Sequence, residues 1–429
     1  MKRYINPTRD QWSALTSRRI SNDDAIESRV VEILAKVREG GDSALRELCQ
    51  AIEGYTPTNF AVSEAEFATA EARVPEQMKR ALANAAENIR AFHSAQRFEP
   101  IEVTTTAGVR CIQRAVPIQR VGLYIPGGSA PLFSTVLMLA IPASVAGCPN
   151  IVMCTPADNT DKVADEVLYA ARICGVQRVY KLGGAQAIAA MAYGTESIDK
   201  VDKIFGPGNR YVTKAKQQVS VGATAIDMPA GPSEVLVVAD DSAEPSFAAA
   251  DILSQAEHGP DSQAVLVCQS VEFALRVQEE VQRQLALLPR EAIATQALDN
   301  SRTVVLASRD EQIDFINMYA PEHLIILCSE PWSVADRITS AGSVFVGAYS
   351  PESAGDYASG TNHTLPTSGW AKAYSGVNLD SYMRKITYQE LSREGLKRLA
   401  DTIVTMAEGE GLDAHAAAVK IRVGKEDEQ

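Results

Sequence analysis

Residues 351–366, PESAGDYASGTNHTLP, mix loop-forming glycine and serine with an acid, a phenol, an amide and an imidazole: Asp356, Tyr357, Asn362 and His363. A segment so poor in aliphatics cannot bury itself, so a packed scaffold must hold it. Four of the five histidines sit in comparably unusual contexts: AEHGP (His258), PEHLI (His323), TNHTLP (His363) and DAHAA (His415). In Pro321-Glu322-His323 a carboxylate stands beside an imidazole at the predicted mouth of a strand, two groups that can move protons in two different steps. A strand edge with two solvated polar residues would read the same way. Neighbours on an extended strand also face opposite sides, so both serve one pocket only if the backbone is irregular there.

Gln255 and His258 fall at i, i+3 spacing at the end of a predicted helix, 245–257, and share one face. They are either metal ligands or a polar last turn with a histidine favoured by the helix dipole. Taken alone, the spacing favours the polar turn. Asp356 and His415 offer a further oxygen and nitrogen. Imidazole and carboxylate without thiolate suit Zn²⁺ in an open, catalytic role rather than a cysteine-built structural site. Three glycine turns, 127–128, 183–184 and 206–208, are placed at strand ends, where open α/β sheets bind ligands and helix N-termini attract phosphate. Neither GxGxxG nor a Walker sequence is present, so a dinucleotide is allowed but not demonstrated. Ser233 could face a pocket or belong to a plain turn. Cys111 and Cys154 lack a neighbouring base in sequence and read as structural, and His93 as packing or surface.

Which elements position these groups follows from composition and period. A chain of 429 residues implies two or three domains, and 46% hydrophobic with 22% charged residues is a globular composition. A net charge of −13 weighs against nucleic acid or an anionic membrane as partner. Seven cysteines without a CxxC pair fit reduced thiols in a cytoplasmic protein. The N-terminus lacks a signal-peptide core, and the apolar run 136–148 is too short to span a bilayer. Residues 1–25 read as an irregular extension. Helical periodicity covers 23–38, 42–52 and 75–97, and a hairpin plus a third strand covers 101–124. From 126 short apolar strands alternate with helices, and 234–350 repeat the pattern, the mark of parallel, doubly wound sheets. The expected architecture is α/β, with two Rossmann-like domains, one inserted in the other. The first would comprise 26–125 and 241–380, the inserted one 126–240, and a helical arm 381–429.

In order along the chain, VGLYIPGG (121–128), KLGGAQAIAA (181–190), FGPGNRYVTKAK (205–216), IDMPAGPSEVLV (226–237), ILSQAEHG (252–259), YAPEHL (319–324), SAGDYASGTNHTLPT (353–367) and EGLDAHAAAV (410–419) closely resemble the histidinol dehydrogenase family. The resemblance implies oxidation of L-histidinol through an aldehyde to L-histidine, with two NAD⁺ and a bound Zn²⁺. By it the zinc ligands would be Gln255, His258, Asp356 and His415, and the proton-transfer groups Glu322 and His323. Substrate contacts would be Ser233, His363 and Glu410, beside the zinc ligands and His323. NAD⁺ contacts would be Tyr124, Gln186 and Asn209. It also implies an intertwined homodimer whose arm completes the partner's site. Two rivals are a paralogue oxidising another small alcohol, such as a sulfonated diol, and a zinc hydrolase using Glu322 as base.

Overall fold

A computed structural model of the chain describes residues 1–18, 24–127, 131–176, 178–229 and 231–424. Gly128, part of one expected glycine turn, lies outside them. The strands are β1 (Lys2–Ile5), β2 (Ile101–Thr106), β3 (Val109–Pro117), β4 (Arg120–Tyr124), β5 (Asn150–Thr155), β6 (Arg178–Lys181) and β7 (Lys203–Phe205). They continue with β8 (Ala225–Ile226), β9 (Glu234–Ala239), β10 (Gln263–Cys268), β11 (Arg302–Val305), β12 (His323–Leu327), β13 (Ser343–Val346) and β14 (Met383–Leu391). Six build a parallel sheet in the order β1-β11-β10-β9-β12-β13, and five build a second in the order β6-β5-β4-β7-β8. The second sheet is contiguous in sequence between β1 and β9, which makes it the insertion.

Both parallel sheets belong to one compact unit, Met1–Ala95 with Gln119–Tyr382. The other unit, Gln96–Ile118 with the chain from Met383 on, holds an antiparallel sheet, β14-β3-β2, and the helices Arg393–Gly409 and Asp413–Gly424.

Three expectations are corrected. The first residues are not irregular: β1 pairs in parallel with β11, and a helix follows at Arg9–Thr16. The arm 381–429 does not start as a helix. Ile386, Thr387 and Tyr388 sit in β14, paired with β3, whose sequence distance hid the partner. The inserted domain also shifts by one strand at each end, because β4 lies in the five-stranded sheet and β9 in the six-stranded one. The hairpin across Gly108 and the break at Gly41 are where periodicity puts them.

The central strands show where so apolar a pattern is buried. Every residue of β9, β10 and β12 is buried. Val235 and Val237 enter one core cluster, while Leu236 and Val238 enter the cluster on the opposite face. Helices therefore cover both faces, each buried Val or Leu contributing roughly 1.5–3 kcal/mol. The helix Phe133–Ala146 is buried on almost all sides and stops at Gly147 in the left-handed conformation. Among the described residues no helix is long and apolar enough to cross a membrane.

One glycine in the inserted sheet is dictated by close approach. Gly206, after β7, has φ +124°, and a Cβ there would lie 2.1 Å from the carbonyl oxygen of Tyr124. Its amide donates to Asp227 at 2.8 Å and its carbonyl accepts from Lys216 at 2.7 Å. Gly147 has φ +82° with open space around it. Gly147→Ala should therefore cost about 1–2 kcal/mol in urea unfolding. Gly206→Ala, which adds a backbone clash to the same strain, should cost at least about 3 kcal/mol. Equal costs would show that the contact with Tyr124 relaxes freely.

Candidate active site

The helix Pro245–Ala256 follows β9 and runs back along the sheet, so its C-terminal turn arrives at the edge where β9 and β12 begin. That return explains how residues far apart in sequence meet. Asp251 and Gln255 lie on this helix one turn apart and are buried, and His258 follows its end, exposed. The short helix Glu352–Tyr357 adds Glu352 and Asp356, four residues apart and both buried. His258, Glu352 and Asp356 each offer a ligand atom, and these atoms lie within 4.8 Å of one another.

Glu322 and His323 join the same cluster. The helix Arg309–Tyr319 ends at Ala320 in the left-handed conformation (φ 52°), and β12 starts only at His323. The turn between them supplies the irregular backbone that adjacent residues need to face one pocket. Glu322 Oε2 accepts from the backbone N–H of Glu234 at 2.9 Å and lies 3.7 Å from His323 Nδ1. His323 Nδ1 is 3.3 Å from the carbonyl oxygen of Glu234, and Glu352 Oε1 lies 3.5 Å from it. A carbonyl can only accept, so the proton sits on Nδ1 and Nε2 keeps its lone pair. That Nε2 is buried without a hydrogen-bond partner, 3.8 Å from Asp356 Oδ1.

Burial pushes the His323 pKa down to about 3, against the opposing pull of the Glu234 carbonyl, so the ring is neutral. Burial pushes Glu322 and Glu352 well above the usual carboxylate range, helped by the neighbouring Asp356 charge. Asp251 and Asp356 are each raised to about 7, again by burial. None of the ion pairs among the described residues brings Lys or Arg to these four acids. Both side-chain atoms of Gln255 and both carboxylate oxygens of Glu352 are buried without partners. Orphaned buried polar atoms cost roughly 1–3 kcal/mol each, and a divalent cation would satisfy the carbonyl and carboxylate oxygens among them together with the imidazole nitrogens.

The remaining expected residues divide. Ser233 directly precedes β9, its carbonyl accepting from Gln263 at 3.1 Å. His363 is held at both nitrogens, Nδ1 at 3.0 Å from the Asp356 carbonyl and Nε2 at 3.3 Å from Thr135 Oγ1, and burial lowers its pKa to about 4. Asn362 is a strut, donating to the Met138 carbonyl at 2.6 Å. His93 is fully buried against the Ile89 carbonyl. Burial raises the Cys154 thiol far above its usual range, which suits a structural cysteine. Glu410 and His415 lie in the other unit, at the end of one terminal helix and on the next.

Tyr124, Gln186 and Asn209 meet elsewhere, around a cavity of about 360 Å³ at the carboxyl ends of β4, β6 and β7. Tyr124 accepts from the Gly184 amide at 3.0 Å, and Asn209 caps the helix Arg210–Ser220 through its Oδ1. Gly127 and Gly183 owe their identity to packing, since a Cβ at either would strike Pro156 at 2.2 and 2.8 Å.

A model of the histidinol dehydrogenase family matches residues 16–423. The chain belongs to the histidinol dehydrogenase family. It is similar to the histidinol dehydrogenase of Bacteroides fragilis, 55% identical over 424 residues and covering 99% of each chain. It is 54% identical to that of Escherichia coli over 412 residues, covering 96% of this chain and 94% of the relative. A crystal structure of histidinol dehydrogenase from Elizabethkingia anophelis superposes with a TM-score of 0.96 at 48% identity, covering 99% of this chain and 98% of that one. The chain is thus an oxidoreductase.

In this family member, sequence reasoning missed three site residues. Glu352 stands four before Asp356, a spacing that puts two carboxylates on one helix face and was readable. Asp251 likewise precedes Gln255 by one turn. Glu234 carried no signal, because its role is played by its peptide group and by Arg18, which grips its carboxylate at 2.8 and 2.9 Å.

The buried acids give the metal-free protein a pH dependence. Unfolded carboxyls titrate near about pH 4, so Asp251 and Asp356 bind more protons in the folded state, and the stability this confers is lost as pH rises through about 7. His323 and His363 act in the opposite sense, but only below about pH 6.5, where unfolded histidine titrates. The urea midpoint of chelator-treated protein should therefore fall from about pH 6.5 to about 8, and Asp251→Asn should shrink that fall. A flat profile would contradict the buried, unpaired state of these acids.

Proposed function

We propose that this enzyme oxidises L-histidinol through L-histidinal to L-histidine in two hydride transfers, using zinc and NAD⁺, as the last step of histidine biosynthesis in the cytoplasm. The observation that carries the proposal is the convergence of a neutral imidazole with a free Nε2 and a buried carboxyl on one cation-ready cluster, in a member of this family. Gln255, His258 and Asp356 would hold the zinc, with His415 as the fourth ligand. The orphaned Gln255 amide and the thiolate-free donor set fit that metal. Bound zinc supplies a Lewis acid for an imidazole-bearing amino alcohol, and NAD⁺ the hydride acceptor.

His323 Nε2 is free to take the hydroxyl proton, and the Glu234 carbonyl keeps the ring in the required tautomer. The aldehyde must gain water before its second oxidation, and Glu322, whose hold by the Glu234 amide supports this reading, would take a proton from that water. Ser233, His363 and Glu410 would contact the substrate, and Tyr124, Gln186 and Asn209 the dinucleotide. In the second unit Ile386, Tyr388, Leu391, Met406, Leu412 and Ile421 are all exposed, which supports coverage by a second copy in a homodimer. In that dimer Gln255, His258 and Asp356 of one chain share zinc with His415 of the other.

Histidinol should yield two NADH, measured by absorbance, and His258→Ala should abolish activity and lower metal content together. Glu322→Gln should slow oxidation of supplied histidinal by about a hundredfold or more while sparing the alcohol step, and His323→Ala should do the reverse. Equal slowing of both half-reactions by Glu322→Gln would refute the division.

Subunit sharing has its own test. Asp356→Ala and His415→Ala should each be inactive, but with shared sites a mixed dimer places both lesions in one site and none in the other. Activity should return, up to about half per mixed dimer by that two-site count. Persistent inactivity after verified subunit exchange would mean that each chain builds its own site.

A further inference from the structure

The cavity at the carboxyl ends of β4, β6 and β7 contains a carboxylate, Glu53, that the backbone of Gly183 and the side chain of Gln186 hold while one of its oxygens is left unpaired. Glu53 is the last residue of the long helix Asp24–Glu53, where the helix dipole disfavours negative charge. Its Oε1 accepts from Gln186 Nε2 at 2.9 Å, so the side chain is held in place. Its Oε2 is buried and has no hydrogen-bond partner, and no Lys or Arg among the described residues pairs with it. A carboxylate is an acceptor-only group, so the species that would satisfy this oxygen must bring donors.

The rest of the cavity selects among donor-bearing ligands. Gly184 and Asn209 place the N-terminal ends of two helices, Gly184–Tyr193 and Arg210–Ser220, on its wall. Such ends favour an anionic diphosphate. A ligand with a diphosphate for the helix ends and hydroxyl donors for the carboxylate is a ribose dinucleotide. A carboxylate that accepts from ribose hydroxyls also repels a phosphate on the same sugar.

We propose that Glu53 accepts a hydrogen bond from a ribose hydroxyl of the dinucleotide and sets the preference of this enzyme for NAD⁺ over NADP⁺. The proposal rests on the reading that this cavity takes the cofactor. Gln186 then has a second task, holding the carboxylate that discriminates.

Calorimetric titration of the full-length, zinc-loaded protein with NAD⁺ and with NADP⁺ tests this without turnover. The native protein should bind NAD⁺ at least about tenfold more tightly. Glu53→Ser should weaken NAD⁺ and strengthen NADP⁺, collapsing that ratio by about tenfold or more. Glu53→Gln keeps the shape but not the charge and should also gain NADP⁺ affinity. A gain of this kind cannot come from a merely damaged fold. Asn209→Asp retains the helix cap while adding charge beside the diphosphate, so it should weaken both dinucleotides. If Asn209→Asp weakens both but the Glu53 variants leave the ratio unchanged, the discrimination proposal fails and the cofactor site stands. Equal native affinity for the two dinucleotides also overturns it. If Asn209→Asp changes neither affinity, the cavity is not the cofactor site and both ideas fall.

Discussion

The site depends on one peptide unit at the head of β9. The N–H of Glu234 binds the Glu322 carboxyl, and its carbonyl oxygen binds Nδ1 of His323. The same residue's carboxylate is clamped by Arg18 and by the Ser368 amide. Arg18 stacks on Tyr319 at 3.7 Å, and Tyr319 donates to Gln263 on β10 at 2.7 Å. The N-terminal segment, the central strands and the loop after residue 363 thereby converge on one backbone position. A buried ion pair of this kind is a poor source of net stability, but losing one partner strands a charge. Its value here is positional, because a shift of β9 would move Glu322 and His323 at once.

The same economy governs electrostatics. Three buried acids, Glu322, Glu352 and Asp356, stand within 3.8 Å of one neutral imidazole, and a fourth, Asp251, acts on Glu352, an arrangement that would be costly as four anions. Proton uptake or a bound cation would relieve it.

The two parallel sheets use opposite edges. In the inserted sheet the cavity lies at the carboxyl ends of the strands, the usual ligand edge of open α/β sheets. In the six-stranded sheet Glu322 and His323 stand at the amino ends of β9 and β12, reached by the C-terminal turn of a returning helix. A rule based on strand ends finds the first and not the second.

Alternation of apolar strands and helices was enough to read two parallel sheets and their nesting, since parallel strands buried on both faces leave continuous apolar runs such as EVLVVA and HLIIL. The rare residue types of the site, the glutamine, histidines and acids, were also legible, because composition and local spacing mark them. What remained hidden was set by contacts between distant segments. β14 looked helical because its partner β3 lies about 270 residues away, and pairing rather than local propensity decides a strand. The convergence of Glu322 and His323 required a left-handed turn at Ala320, a residue with no intrinsic preference for it, imposed by the packing of helix and strand around it. The anchoring role of Glu234 runs through its peptide group, which every residue possesses, so only the tertiary structure could single it out.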